Sequence, residues 1–233
     1  MERVILLTST VKPYIGGFAG TVEKRLQEYE DAISYYLQET TFDIVVVDNS
    51  NYLFRNSNKR LRSYAFLADP EDFKYGKGFG EAKIISYAFK HDAGLQKAEQ
   101  VIKITGRHKI SNINKLVLQT TLVNTIYADC NLGYTNSPSC FFIAPPVFYN
   151  NYLLPYSSYM NDSKGIYFEH ILARSIKKFI KNKGRHRQFY IPIAILGHPG
   201  TSSVNYKLPN RKRYLAIYIK YWISLFANKF GLY

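Results

Sequence analysis

Short apolar runs alternate along this chain with longer stretches in which apolar side chains return every three or four positions. Val4-Ile5-Leu6-Leu7-Thr8 is a continuous apolar run, as a strand covered on both faces requires. Pro13, Gly16, Gly17 and Gly20 then mark a long loop. From Val22 to Leu37, the positions Val22, Leu26, Tyr29, Ile33, Tyr36 and Leu37 share one helical face, with charges between them. Asp43-Ile44-Val45-Val46-Val47-Asp48 is a second buried strand that ends in the polar turn Asp48-Asn49-Ser50. Strand, helix and strand with this timing form a βαβ unit, which predicts a parallel sheet.

Residues 51–76 are polar and poorly periodic. Lys77-Gly78-Phe79-Gly80 opens a predicted helix over about 81–90, and Val101-Ile102-Lys103-Ile104-Thr105 is a third strand. A helix is predicted near 112–124 and a strand at Cys140-Phe141-Phe142-Ile143-Ala144, stopped by Pro145-Pro146. A further helix is predicted over about 165–181 and a last strand over 189–196. The expectation is one α/β domain over 1–205, a mostly parallel sheet flanked by helices, followed by a basic amphipathic segment over 206–233. Ligands of open α/β sheets bind at the carboxyl ends of strands. Here those ends are Thr8-Ser9-Thr10, Asp48-Asn49-Ser50, Thr105-Gly106-Arg107 and Gly197-His198.

Charge changes this picture at one end only. The net charge is +14, but residues 1–169 nearly balance, whereas residues 170–233 hold 13 Lys and Arg and no acid. A block without acids points to an anionic partner: lipid head groups, nucleic acid or a phosphorylated substrate. From Arg211 to Phe230, Leu215, Tyr218, Ile219, Trp222, Leu225 and Phe226 form one helical stripe. Such a helix suits an anionic membrane surface, or packs its stripe on the catalytic domain. Cys130 and Cys140 have no CxxC spacing, so neither a disulfide framework nor a zinc site is expected. Met1-Glu2-Arg3 leads straight into a strand without a signal-peptide core. No apolar stretch reaches the ~18 residues of a membrane span. A cytoplasmic protein, peripheral on the inner face of the cell membrane, is expected.

At Asp48-Asn49-Ser50, Gly76-Lys77-Gly78-Phe79-Gly80-Glu81 and Lys103-Ile104-Thr105-Gly106-Arg107 the chain resembles the small GT-A-type glycosyltransferases of bacterial surface-polysaccharide (capsule and O-antigen) clusters. The likeness runs over about residues 3–115. Tyr167-Phe168-Glu169 before a helix extends it to about 180. It implies a GT-A-like fold and transfer of a sugar, from a nucleotide-sugar donor expected to be UDP-linked, to a glycan or lipid-linked glycan acceptor. It places Asp48, with Asn49 and Ser50, against the uracil or ribose, Thr8 beside them, and Lys77 and Gly78 at a phosphate-favouring helix start. Asp48 is equally the residue of an Asx turn, and Lys77 of a plain loop-to-helix turn.

Most GT-A enzymes carry Asp-x-Asp after the central strand to hold a metal on the diphosphate. Here that place reads Thr105-Gly106-Arg107. A guanidinium pairs with phosphate in a bidentate way. Arg107, with Lys77 or Lys103, is therefore expected to replace the metal, and no cofactor is expected. The alternative for Arg107 is a surface salt bridge. Glu169, at a helix start, is the expected catalytic base, or an acid complementing the helix dipole. Asp162 is second, and could instead cap the same helix. His198 is a diphosphate contact under the same likeness. Two rival functions stay open: a nucleic-acid-binding protein, which the resemblance does not lead one to expect, and a catalytically inactive scaffold of a polysaccharide assembly complex.

Overall fold

The computed structural model describes residues 1–13, 21–197 and 206–230, the side chains of the last helix as far as Phe226. Its strands are β1 (Arg3–Ser9), β2 (Asp43–Asp48), β3 (Leu61–Ala65), β4 (Gln100–Thr105), β5 (Lys109–Ile110), β6 (Thr125–Ala128), β7 (Phe141–Ala144), β8 (Arg185–Arg187) and β9 (Ile195–Leu196). Its helices are α1 (Val22–Glu39), α2 (Lys77–His91), α3 (Ala93–Lys97), α4 (Ile113–Val117), α5 (Pro146–Phe148), α6 (Phe168–Lys181) and α7 (Arg211–Phe230).

Seven strands form one sheet in the order β3-β2-β1-β4-β7-β6-β8. β1 lies parallel between β2 and β4, and β3 runs parallel to β2. β7 is antiparallel to β4 and β6, so the sheet is mixed though largely parallel. The period-two rule of a strand decides the layers. Ile5 and Leu7 of β1, with Ile44, Val46, Ile102 and Ile104, pack against Tyr29, Ala32, Ile33 and Tyr36 of α1. Val4 and Leu6, with Val45, Val47 and Val101, pack against Ala82, Ile85 and Ala88 of α2 and Ile171, Leu172 and Ile176 of α6. The result is a helix–sheet–helix sandwich with a core on each face. Aromatic side chains carry much of it: Tyr36, Phe141, Phe142, Phe148, Tyr149 and Phe168 are fully buried.

Several expectations change at the sheet margins. β3 lies inside the stretch read as irregular, because all five of its residues are only half-buried at the sheet edge. β6 and β8 lie outside the predicted strands. The strand expected over 189–196 contracts to β9, which pairs with β5 in a separate two-stranded ribbon. The helix expected near 112–124 ends at Val117, ahead of Thr120, Thr121 and the positive φ of Asn124.

Lys220 of α7 pairs with Asp129, Tyr221 meets the Tyr190 ring edge-on, and Ser224 is buried. Its contact with the domain therefore runs through a largely polar side. Tyr218, Ile219, Trp222 and Phe226 face outward, Trp222 at 54% exposure. Packing of the whole stripe on the domain is thus corrected: Tyr218, Ile219 and Trp222 stay about half exposed. No described helix is long and apolar enough to cross a membrane.

Beside that contact, His186 of β8 is buried, with Nδ1 2.9 Å from the Tyr134 hydroxyl and Nε2 3.1 Å from the Ala128 carbonyl. Burial lowers its pKa to about 4. The unfolded chain then binds a proton that the folded chain refuses, so stability is complete above about pH 6.5 and falls as pH drops towards 4. The expected loss attains about 3 kcal/mol. Urea titrations from pH 7 to 4 should show this slope in the native protein and a shallower one in His186→Gln.

Candidate functional site

The chain leaves β1 for β2 on one side and returns from β3 to β4 on the other, so the crevice between the carboxyl ends of β1 and β4 is the switch point of the sheet. A cavity of about 250 Å³ lies there. Thr8 and Thr105, paired in register across the two strands, line it together with Asn49, Lys77, Glu81, Arg25, Tyr29 and Arg107.

Its floor is a polar cluster that the strand period creates. Thr8, Lys103 and Thr105 all point to the α2 side of the sheet, where Leu6 and Val101 precede them. Lys103 is 0% exposed, and a buried ammonium needs an acid. Glu81, on the first turns of α2, supplies it. Its Oε1 accepts from Lys103 Nζ, from Thr8 Oγ1 at 2.9 Å and from Thr105 Oγ1 at 3.3 Å. Lys103 also donates to the Ser139 carbonyl at 2.7 Å. This corrects the expectation for Lys103: its charge is spent inside the fold and does not face a ligand.

Arg107 emerges two residues past β4, with its side chain 7% exposed and its Nη1 3.4 Å from Glu28 Oε2. The pair is largely buried, so the surface salt bridge expected as its alternative is corrected to a pair at the cavity wall. Arg25 of α1 reaches the cavity from the other side. Its Nε donates to the Thr10 carbonyl at 2.6 Å, and its guanidinium lies 5.7 Å from the centre of the Tyr29 ring. Burial raises the Tyr29 hydroxyl above its usual pKa against the opposing pull of Arg25, and Tyr29 Oη accepts from Thr10 N at 3.0 Å. Gly106 lets these parts close. A Cβ there would lie 2.7 Å from the Thr8 carbonyl, which Gly106 N meets in a 2.9 Å hydrogen bond.

Asp48 is fully buried and holds its own loop together. Oδ1 accepts from Ser50 N at 2.7 Å, Ser50 Oγ at 2.6 Å and Tyr52 N at 3.1 Å, and Oδ2 accepts from Val11 N at 2.9 Å. The carboxylate does not line the cavity; Asn49 does, with Oδ1 accepting from Thr10 Oγ1 at 2.7 Å. Ser50 Oγ accepts from Lys12 N at 2.9 Å, away from the cavity.

Asp162 has a different place from either that the sequence suggested. Its Oδ2 accepts from Lys77 N at 3.0 Å, so it caps α2 from a distant loop, not α6. Gly76 makes room for it: φ is +96°, and a Cβ would fall 2.1 Å from Asp162 Cγ. The helix start expected to seat phosphate thus already carries a carboxylate. Gly78 serves packing, since a Cβ there would stand 3.0 Å from Phe168. Glu169 is half-buried at the start of α6, with Oε1 accepting from Ser139 Oγ at 2.7 Å, and lies outside the cavity lining. His198 falls outside the described residues. Burial pushes the Cys130 thiol up to about 12 and Cys140 to about 11, so neither is a thiolate at neutral pH.

Sequence reasoning includes Glu81 in the Gly76–Glu81 motif but gives it no role, and does not single out Arg25 or Tyr29 for this site. The signal for Glu81 is a lone lysine within an otherwise apolar, doubly covered strand. A divalent cation fits these residues poorly. The one carboxylate lining the cavity among the described residues is already paired with Lys103, two guanidiniums stand beside it, and no three His, Cys, Asp or Glu side chains converge there or elsewhere among those residues.

No protein-family model matches the chain, and no curated protein sequence matches it. Among solved structures it is similar to a candidate nucleotide-diphospho-sugar transferase from Desulfovibrio desulfuricans G20, at 11% identity over 81% of this chain and 80% of that one, with a TM-score of 0.40. It is similar to the galactosyltransferase LgtC in complex with donor and acceptor sugar analogues, at 12% identity over 81% and 74%, TM-score 0.46. It is also similar to core-mannan synthase A from Aspergillus fumigatus in a Mn/GDP form, at 10% identity over 95% and 85%, TM-score 0.45. These likenesses are loose, and the functional reading stands on the residues of the cavity.

Proposed function

We propose that this chain is a glycosyltransferase that binds a nucleotide-sugar donor, UDP-linked in the first instance, in the cavity between β1 and β4 and needs no divalent cation. One observation carries the reading: a cavity at the switch point of a largely parallel sheet with Arg25, Arg107 and Lys77 in its lining. Three cations lining one crevice favour a diphosphate. Because Asp162 occupies the start of α2, the anion is held by side chains instead of the helix end. As the sugar departs, charge grows on the terminal phosphate of the leaving nucleotide, where a preorganised guanidinium is most effective. Glu169, hydrogen-bonded to Ser139, is proposed to accept the proton of the acceptor hydroxyl.

The test is a thermal-shift panel of UDP, GDP and their hexose conjugates, each with and without EDTA. A ligand bound only by the folded state raises the melting temperature by mass action. A shift that survives EDTA is expected. A shift that requires Mg²⁺ or Mn²⁺ would end the metal-free part, and no shift with any nucleotide would end the donor reading.

The acceptor is proposed to be a growing, lipid-linked surface polysaccharide reached at the cytoplasmic face of a membrane. Support comes from α7: its outward aromatic and aliphatic side chains share one helix with Arg211, Lys212 and Arg213, and residues 170–233 hold no acid. Each such cation near anionic lipid adds about 1 kcal/mol. Native protein should float with vesicles containing phosphatidylglycerol, and Trp222→Ser/Phe226→Ser should stay behind; equal flotation would remove the membrane from the proposal.

A further inference from the structure

We infer that Glu81 receives a hydroxyl of the donor's sugar, so that the cavity has a cationic pole for the diphosphate and a carboxylate pole for the glycosyl group. The inference rests on the donor reading above and adds to it the residue that recognises the sugar.

Three facts point this way. Glu81 lines the cavity, with its side chain 18% exposed. Its Oε1 is anchored by Lys103, Thr8 and Thr105, and Oε2 has no hydrogen-bond partner among the described residues. A carboxylate held by three donors on one oxygen cannot turn away, so the other oxygen has a fixed position, as recognition requires. An ionised carboxylate only accepts hydrogen bonds. The ligand group it meets must therefore donate. Phosphate oxygens are excluded, whereas the hydroxyls of a hexose or pentose fit.

The electrostatics also close. Alone, a carboxylate in the same 250 Å³ cavity would repel the diphosphate. Fully buried Lys103 cancels that charge from beneath, leaving an acceptor without a surplus negative field. The two threonines come from adjacent strands in register, so the sheet itself sets the position of the acid relative to Arg107, two residues beyond Thr105. The diphosphate and the sugar attached to it would then lie across the strand ends, between Arg25 and Arg107 on one side and Glu81 on the other.

The experiment is calorimetric titration of native protein, Glu81→Gln and Glu81→Gln/Lys103→Met. The titrants are UDP, UDP-glucose, UDP-galactose and UDP-N-acetylglucosamine, with GDP and GDP-mannose in parallel. The double variant is included because Glu81→Gln alone strands a buried ammonium and lowers stability. The expected result is a free-nucleotide Kd within about threefold of native. The Kd of the preferred sugar nucleotide should weaken about ten- to hundredfold, the worth of a hydrogen bond to a charged group. Sugar nucleotide bound by the double variant as tightly as by native protein would overturn the inference. So would equal weakening of free nucleotide and sugar nucleotide in a folded double variant, or native protein that prefers no sugar nucleotide to its parent nucleotide. Native protein that binds none of the six compounds would instead overturn the donor reading itself, and the sugar contact with it.

Discussion

Arg107→Ala is expected to lower kcat/KM for the sugar-nucleotide donor by about 10²–10³-fold, the usual effect of removing one preorganised donor from developing negative charge. The proposed role rests on the surroundings of the guanidinium. Arg107 lies two residues past β4, stands at the cavity wall and is held by Glu28 at the long distance of 3.4 Å, so the pair can loosen in favour of a phosphate. Arg107→Lys keeps the charge and loses the planar fork that meets two phosphate oxygens together, and should fall between native and alanine. Neither change should unfold the protein, because the Glu28 carboxylate left behind is 24% exposed and can be hydrated. Steady-state kinetics, run with EDTA and with added Mg²⁺, checks this. If Arg107→Ala works at the native rate in EDTA, the cationic wall is not the catalytic device and the proposed mechanism fails.

The parts of this site that the sequence displays are those built by strands. β1, β2 and β4 are uninterrupted apolar runs, so their ends, and with them Thr8, Asn49, Thr105 and Arg107, can be placed from the order of residues alone. Side chains contributed by helices are harder to place. Arg25 looks like a solvent-facing charge on an amphipathic helix and Glu81 closes a glycine-rich motif with no role attached, and only the packing of α1 and α2 on the sheet turns them into the cavity. Carboxylates are the least legible. Asp48, Asp162 and Glu169 each stand at a turn or helix start, where capping and catalysis ask for the same residue type. In the folded chain Asp48 braces a loop and Asp162 caps a helix 85 residues away in sequence. Edge elements escape for a different reason: β3 is half-buried throughout and β8 is Arg-His-Arg, so neither displays the apolar signature on which a strand is recognised.

The second large effect is on stability, and it should be asymmetric. Glu81→Gln leaves the Lys103 ammonium at 0% exposure with only neutral partners, Thr105 and the Ser139 carbonyl, around it. Breaking a buried pair in this sense costs about 3–5 kcal/mol. Lys103→Met is expected to cost less, because the remaining carboxylate borders the cavity and can draw water, while the methionine occupies the lysine's apolar stem volume beside Phe168. With both changed, the glutamine amide at position 81 can still accept from Thr8 and Thr105, and no uncompensated charge remains. The double variant should therefore recover most of the loss, with a coupling of about 2 kcal/mol or more between the positions, as neighbours in one network show. Urea unfolding of the four proteins at pH 7 measures that cycle. Additive losses would mean that the lysine and the acid stabilise the fold separately. Strong coupling, together with a stable double variant that has lost its preference for sugar nucleotides, would mean that the lysine is kept in the core to hold a ligand-facing acid in place.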